Sequence, residues 1–357
     1  MLVVRSPMIL VNFFYAQPVG HAVEALHYAN GHHAADPTRE ISVALNAATA
    51  VELAELCPFV EHAYAIDHPF VEPAAHSDLG ALPREWDWVL DDPRRHQPFQ
   101  TETFAGMRDY YAASDEYLIA RHGRTIAGPG RLSYLPHQPL RFALEPADLE
   151  QPTIAVMLAG SSEPALYPSL AAWRSILDAL HAAHPEIRPA LIGRTTRDRR
   201  TASALDRREL LDHPSKPLDA YDLPLKDQLA IVKASELFLS PHPGFGLAAL
   251  ATGTPWLTIS GGRWFEYYFN HVPFRSVIPD VERFPCFSQF SPAMIVDGRT
   301  PSMSDARIAA DLDRIVGAAT ELLDGTLSYE QALSDYFTDL QAATSDIWSI
   351  DGVHFGR

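Results

Sequence analysis

Cysteine is nearly absent from this chain. Cys57 and Cys286 are its two cysteines, which excludes a disulfide-built scaffold and a four-cysteine zinc site and reads as two reduced thiols. Lysine is equally scarce. Lys216, Lys226 and Lys233 are the whole supply, so most positive charge is arginine, the better bidentate partner for phosphate. Positive charge as a whole is short: 28 Lys and Arg face 45 Asp and Glu, a net −17. That argues against a nucleic-acid partner, which requires a basic face, but allows a local pocket for a small phosphate ligand. No run approaches the roughly 18 apolar residues of a membrane span, and the N-terminus lacks the pattern of a secretion signal. The expectation is a cytoplasmic protein. No Asp-X-Asp motif stands at a strand end, so no essential metal ion and no cofactor are expected. Short-period repeats and low-complexity tracts are also missing.

What is present is enough apolar residue for real cores. Hydrophobic residues make up 47% of 357 residues, and that length suggests two domains. Residues 8–14 (MILVNFF) read as a buried strand, residues 21–30 as a helix ended by Gly31, and residues 40–45 as a second strand. A short helix over 49–57 and strands over 60–66 and 86–90 follow. Gly and Pro then crowd residues 123–152, which sets a domain boundary near 150. After it the pattern restarts. Strands are predicted over 153–158, 189–192, 236–240 and 256–260, and helices over 169–184 and 225–235. Helices over 304–323 and 329–345 close the chain. Strand–helix alternation of this kind gives parallel βαβ units. The fold class is therefore α/β, with two Rossmann-like doubly wound domains.

Residues 239–262 (LSPHPGFGLAALATGTPWLTISGG) are the most informative stretch. A strand feeds a Gly-Pro loop, and an Ala-rich helix then begins near residues 244–247 and stops at Gly253. The N–H groups and dipole at such a helix start attract anions, and in doubly wound sheets ligands bind at the ends of the strands. Gly244 and Gly246 leave room for close approach of a diphosphate. An ordinary tight connection has the same composition, and both readings stand at this point.

With Gly244, the run 248–251 and Gly253-Thr254-Pro255, this segment resembles the donor-side signature of GT-B glycosyltransferases. The likeness is to the heptosyltransferase-like family acting on lipopolysaccharide core. The run DLPLKDQLAIVKASELFLS is similar to that family's approach to the site, and the first ninety or so residues are similar in layout. Where the family has an acidic residue and Ser or Thr in the loop, this chain has His242 and Pro243, and Leu247 replaces a family histidine. The loop GSSEPALYP lacks the family's lysine, and GGRWFEYYFNHVPFRSVIPD is unlike the core enzymes and resembles, more weakly, sugar transferases of actinomycete natural-product pathways, such as the bleomycin-type gulosyltransferase.

The resemblance implies two domains facing a cleft. An acceptor domain would occupy residues 1–150 and a nucleotide-sugar donor domain residues 151–325. A helical segment, 326–357, would pack back toward the first. It implies a metal-independent, inverting transfer to a small-molecule hydroxyl, which needs a base for the acceptor proton and positive or N–H groups for the departing diphosphate. His21 is the first candidate base, because GT-B enzymes of other families carry Gly-His in this loop; Glu24 and Asp92 are weaker candidates. Asp91, Tyr15 and Gln17 are acceptor-side candidates. Donor contacts are expected from Ser161, Ser162, Arg194, Lys226, His242, Pro243, Gly244, Phe245, Gly246 and Arg263, and Glu266 could hold sugar hydroxyls. Each has a plainer reading: a helix-turn histidine, solvated loop carboxylates, surface arginines. The aromatic run 264–269 suits a core or interface as well as a sugar ring. Two rival functions are compatible: a non-catalytic double-Rossmann binder of a nucleotide or partner, and a nucleotide-sugar epimerase. Fold by itself does not choose among them.

Overall fold

A computed structural model describes residues 8–14, 19–67, 82, 88–91, 139–160, 164–196, 207–241, 244–259, 270–277, 298–300 and 303–343, and the structural statements below concern these. They divide into two compact units, the first ending at Ala143 and the second beginning at Leu144.

The first unit is built on four parallel strands, β1 (Met8–Phe13), β2 (Glu40–Asn46), β3 (Val60–Ile66) and β4 (Trp88–Asp91), in the order β3-β2-β1-β4. β1 is apolar and central, and Leu10 and Val11 are fully buried. Helix α1 (Val19–Ala35) connects β1 to β2. It is longer than the sequence suggests, because Gly31 does not end it. Gly31 is buried within the helix, where packing outweighs glycine's poor propensity. The stop comes at Asp36-Pro37, with the Asp36 N–H on the His32 carbonyl at 3.2 Å. Residues 51–56 form a 3-10 turn rather than an α-helix, closed by the Cys57 N–H on Ala54. Cys57 is buried, and burial pushes its thiol up to about 12.

The second unit holds six parallel strands: β5 (Thr153–Met157), β6 (Arg188–Gly193), β7 (Leu218–Tyr221), β8 (Leu237–Ser240), β9 (Trp256–Thr258) and β10 (Phe274–Ser276). Their order is β10-β9-β8-β5-β6-β7. The chain winds outward from β5 on one side, then crosses back to β8 on the other. Connecting helices are α2 (Leu170–Ala183), the single turn α3 (Arg208–Leu211), α4 (Leu225–Ala234), α5 (Phe245–Thr252), α6 (Asp305–Leu323) and α7 (Tyr329–Ala343). β7 and β10 escape sequence reading: they are four and three residues long, and Asp219 and Arg275 interrupt their apolar character.

Serine stands at the start of each long helix of the second unit, with Ser328 accepting the Gln331 N–H at the start of α7. Ser169 accepts the Ala172 N–H at the start of α2, and Ser304 accepts the Arg307 N–H at the start of α6. Trp173 of α2 is fully buried and its indole N–H donates to the Leu158 carbonyl at 2.9 Å, fixing the chain just past β5. α7 packs on β10 of the same unit: Tyr336 meets Phe274 edge-on at 5.7 Å, and Arg275 bridges Glu321 of α6 and Asp335 of α7. No described helix is long and apolar enough to cross a membrane.

Candidate active site

Each unit has a point where consecutive connections leave its sheet in opposite directions, β1/β4 in the first and β5/β8 in the second. In open parallel sheets ligands settle beyond the strand ends at these points. The candidate residues that fall within the described segments lie at these C-terminal edges.

In the first unit, α1 begins just past β1 and carries His21 in its first turn. His21 Nδ1 lies 3.3 Å from the Glu24 carboxylate, and Glu24 is buried. Asp91, the last residue of β4, is paired in register with Asn12 of β1, so its backbone stands beside the same strand end. Asn46, at the end of β2, braces this region. Its Nδ2 donates to the Phe14 carbonyl at 2.7 Å, and its Oδ1 accepts the Ala48 N–H at 2.8 Å. Sequence reasoning missed Asn46; its signal is a buried polar residue closing an apolar strand. Tyr15, Gln17 and Asp92 lie outside the described residues.

In the second unit, α5 follows β8. All eight of its residues are buried, and it contains no acidic or basic side chain. Its two ends differ. At the C-terminus Gly253 adopts a left-handed conformation (φ 88°), and its N–H reaches the Leu250 carbonyl. Thr252 donates to Ala249 at 2.6 Å and meets Thr254 at 2.8 Å, and Thr254 donates to Val232 of α4 at 2.7 Å. At the N-terminus, Gly244 provides no side-chain cap. The Leu247 N–H turns back onto the Gly244 carbonyl at 3.3 Å, and among the described residues no side chain caps the N–H groups ahead of it. A buried, apolar helix with an uncapped start is a concentrated patch of N–H dipoles.

Gly246 has a role that sequence alone does not show. A Cβ there would lie 2.1 to 2.6 Å from three atoms of the Trp256 indole. This glycine therefore lets α5 settle on β9. The Trp256 indole N–H in turn donates to Ser240 Oγ at 2.9 Å. Phe245 is buried against Phe238 of β8, with ring centroids 5.7 Å apart.

Arg194 follows β6 and is exposed at the same sheet edge. Its loop is rigidly built. Gly193 has φ 143°, and a Cβ there would meet the Tyr221 ring at 3.0 Å. Gln228 of α4 clamps Gly193, accepting its N–H at 3.0 Å and donating to its carbonyl at 3.1 Å. Asp222 accepts the N–H and hydroxyl of Thr195 at 2.8 and 2.7 Å, and these bonds hold its carboxyl below the usual range. Arg207, which sequence reasoning passed over, forms a two-pronged pair with Asp219 at 2.7 and 2.8 Å and stands 4.5 Å over the Tyr221 ring. Lys226 is exposed on the first turn of α4, also at this edge. Ser161, Ser162, His242, Pro243, Arg263, Glu266 and the aromatic run 264–269 lie outside the described residues.

No protein-family model and no curated protein matches the chain. Solved structures do. The glycosyl transferase family 9 protein from Veillonella parvula DSM 2008 superposes with a TM-score of 0.53 at 14% identity, covering 90% of this chain and 98% of that one. The ADP-heptose lps heptosyltransferase II of E. coli gives 0.51 at 13% identity, over 88% and 99%. TibC, a dodecameric iron-containing heptosyltransferase solved with ADP-D-beta-D-heptose, gives 0.52 at 14%, over 90% and 77%; it comes from enterotoxigenic E. coli H10407. At such identities the likeness establishes the fold, which is the two-Rossmann GT-B architecture. Among the described residues of this chain, no three His, Cys, Asp or Glu side chains are grouped to hold a metal ion.

Proposed function

We propose that this protein is a metal-independent, inverting glycosyltransferase. It moves a sugar from a nucleotide-diphosphate donor to the hydroxyl of a small molecule. The observation that carries this reading is α5: a buried helix, closed at its C-terminus by Gly253 and begun by a glycine that has no side chain to cap it, beside the β5/β8 switch point of a GT-B fold. That is where a diphosphate gains most from N–H groups.

In this mechanism the second unit holds the donor and the first supplies the base. His21 Nδ1–H donates to Glu24, which leaves Nε2 as the ring's basic nitrogen. The acceptor hydroxyl gives its proton to Nε2 as its oxygen bonds to the anomeric carbon. The bond from that carbon to the diphosphate oxygen breaks on the opposite side, inverting the centre. The released negative charge rests on the α5 N–H groups, with Arg194 and Lys226 adding positive charge at the same edge. Glu24 stabilises the imidazolium that forms. The chain's likeness to heptosyltransferases and its own sequence leave hexose and heptose donors both compatible. A natural-product acceptor is favoured by residues 261–280 alone.

A thermal-shift panel of ADP, GDP, UDP and dTDP, each with a matching nucleotide sugar, tests the proposal. One base should stabilise the protein by about 2.7 kcal/mol at a hundred times its Kd. His21→Ala should keep that shift and lose about 10² to 10⁴ in turnover. A folded protein indifferent to every nucleotide would overturn the reading.

A further inference from the structure

Three neighbouring strands of the second unit repeat one short pattern. Phe238-x-Ser240, Trp256-x-Thr258 and Phe274-x-Ser276 each place an aromatic residue two positions before a strand-ending Ser or Thr. The register aligns them. Phe238, Trp256 and Phe274 form one row, and Ser240, Thr258 and Ser276 form the next row toward the C-terminal edge. Residues two apart on a strand, and register neighbours in a sheet, share a face. That face carries α5, because the Trp256 ring lies against Gly246 and bonds Ser240. The hydroxyl row therefore lies one step beyond Trp256, toward the edge where α5 begins.

The three hydroxyls are not equivalent. Ser240 is satisfied: it accepts from Trp256 and donates to the Pro241 carbonyl at 2.6 Å. Thr258 is 0% exposed, and among the described residues its Oγ1 has no hydrogen-bond partner. Ser276 Oγ, next to it in register, is also buried and without a partner there. They do not bond each other, as Thr252 and Thr254 do nearby. A buried hydroxyl with no partner costs stability, a cost that a polar group supplied from outside the chain would remove. Diphosphate oxygens only accept, and the α5 N–H groups match them. A side-chain hydroxyl both donates and accepts, as sugar hydroxyls do.

We propose that Thr258 and Ser276 are positioning residues for the transferred sugar, forming the inner end of the hydrogen-bond network that holds it. This rests on the donor reading above. The test uses the full chain, with Thr258→Val and Ser276→Ala as variants. Each is titrated with a nucleoside diphosphate and with its sugar-bearing form, taken from UDP/UDP-glucose, ADP/ADP-glucose, GDP/GDP-mannose and dTDP/dTDP-glucose. Both variants should melt at or above the wild type when ligand-free. Their Kd for the bare diphosphate should be unchanged, and their Kd for the nucleotide sugar should rise about three- to tenfold. A lower ligand-free melting temperature with unchanged affinities would make the hydroxyls structural and overturn the inference. Equal losses for both ligands, or a wild type that gains nothing from the sugar, would overturn it too. A wild type that binds no diphosphate at all rejects the donor reading itself, and this inference with it.

Discussion

The two sheet edges offer different chemistry. In the first unit the first turns of α1 present side chains, His21 with the buried Glu24 beside it, and the backbone of Asp91 lies on the strand next to β1. In the second unit the turn after β8 leads into a helix with no charged side chain, whose asset is its backbone. The first edge can move a proton and the second can stabilise negative charge. The fold is the same doubly wound plan in both units. The difference is local, set by whether the helix start carries titratable residues or glycine.

The largest expected effect is at Gly246. Gly246→Ala drives a methyl into the rigid Trp256 ring, and overpacking of this kind costs about 3 kcal/mol or more. Unfolding by denaturant should show the loss in the second unit. A variant as stable as wild type would mean that α5 does not rest on β9 as described.

Acid should act on the first unit. Burial, and secondarily the Arg39 charge, push His32 down to about 4, and Arg39 Nη1 donates to its Nδ1 at 3.2 Å. Burial, with Arg141 second, pushes His27 down to about 3. Both lie on α1, His27 one turn beyond Glu24 and His32 nearer the C-terminus. Their folded-state values lie below the unfolded value, so the unfolded chain binds more protons, and stability falls as pH drops from about 6.5 toward 4. For His32 that amounts to about 3 kcal/mol by pH 4. Denaturation midpoints at pH 7.5 and pH 5 check this, and His32→Gln should remove about half of the dependence, leaving the His27 share. A first unit equally stable at both pH values would contradict it.

The smallest effect marks helices that close their own ends. Ser169→Ala should cost α2 about 1 kcal/mol and leave nucleotide affinity unchanged, because that cap serves the fold alone. A loss of nucleotide binding in Ser169→Ala would blur the distinction between α2 and α5.

The long apolar strands and capped helices were legible in the sequence because each carries its own signal. Met8–Phe13 is apolar but for Asn12, and Ser169 and Ser304 stand just ahead of helical periodicity. β7 and β10 were not: Asp219 and Arg275 break the apolar runs that the equally short β8 and β9 keep. Gly31 looked like a helix stop and is an interior packing residue. The Gly-rich turn into α5 was visible in residues 239–262, but what Gly246 faces depends on Trp256 lying on the adjacent strand. The Gln228 clamp on Gly193 likewise exists only through the packing of α4 on β6, and the Thr258–Ser276 pair only through register. Composition and spacing locate a site's backbone; the partners that shape it come from strands distant in sequence.

The central claim is that the uncapped start of α5 binds a diphosphate, and Gly244→Asp tests it most directly. A carboxylate at a helix start is favourable to the helix, so the variant should melt at or slightly above the wild-type temperature. The same charge repels a diphosphate. Calorimetric titration with the preferred nucleoside diphosphate should show Kd rising at least about a hundredfold. A folded Gly244→Asp variant that binds the diphosphate as tightly as wild type would contradict the account.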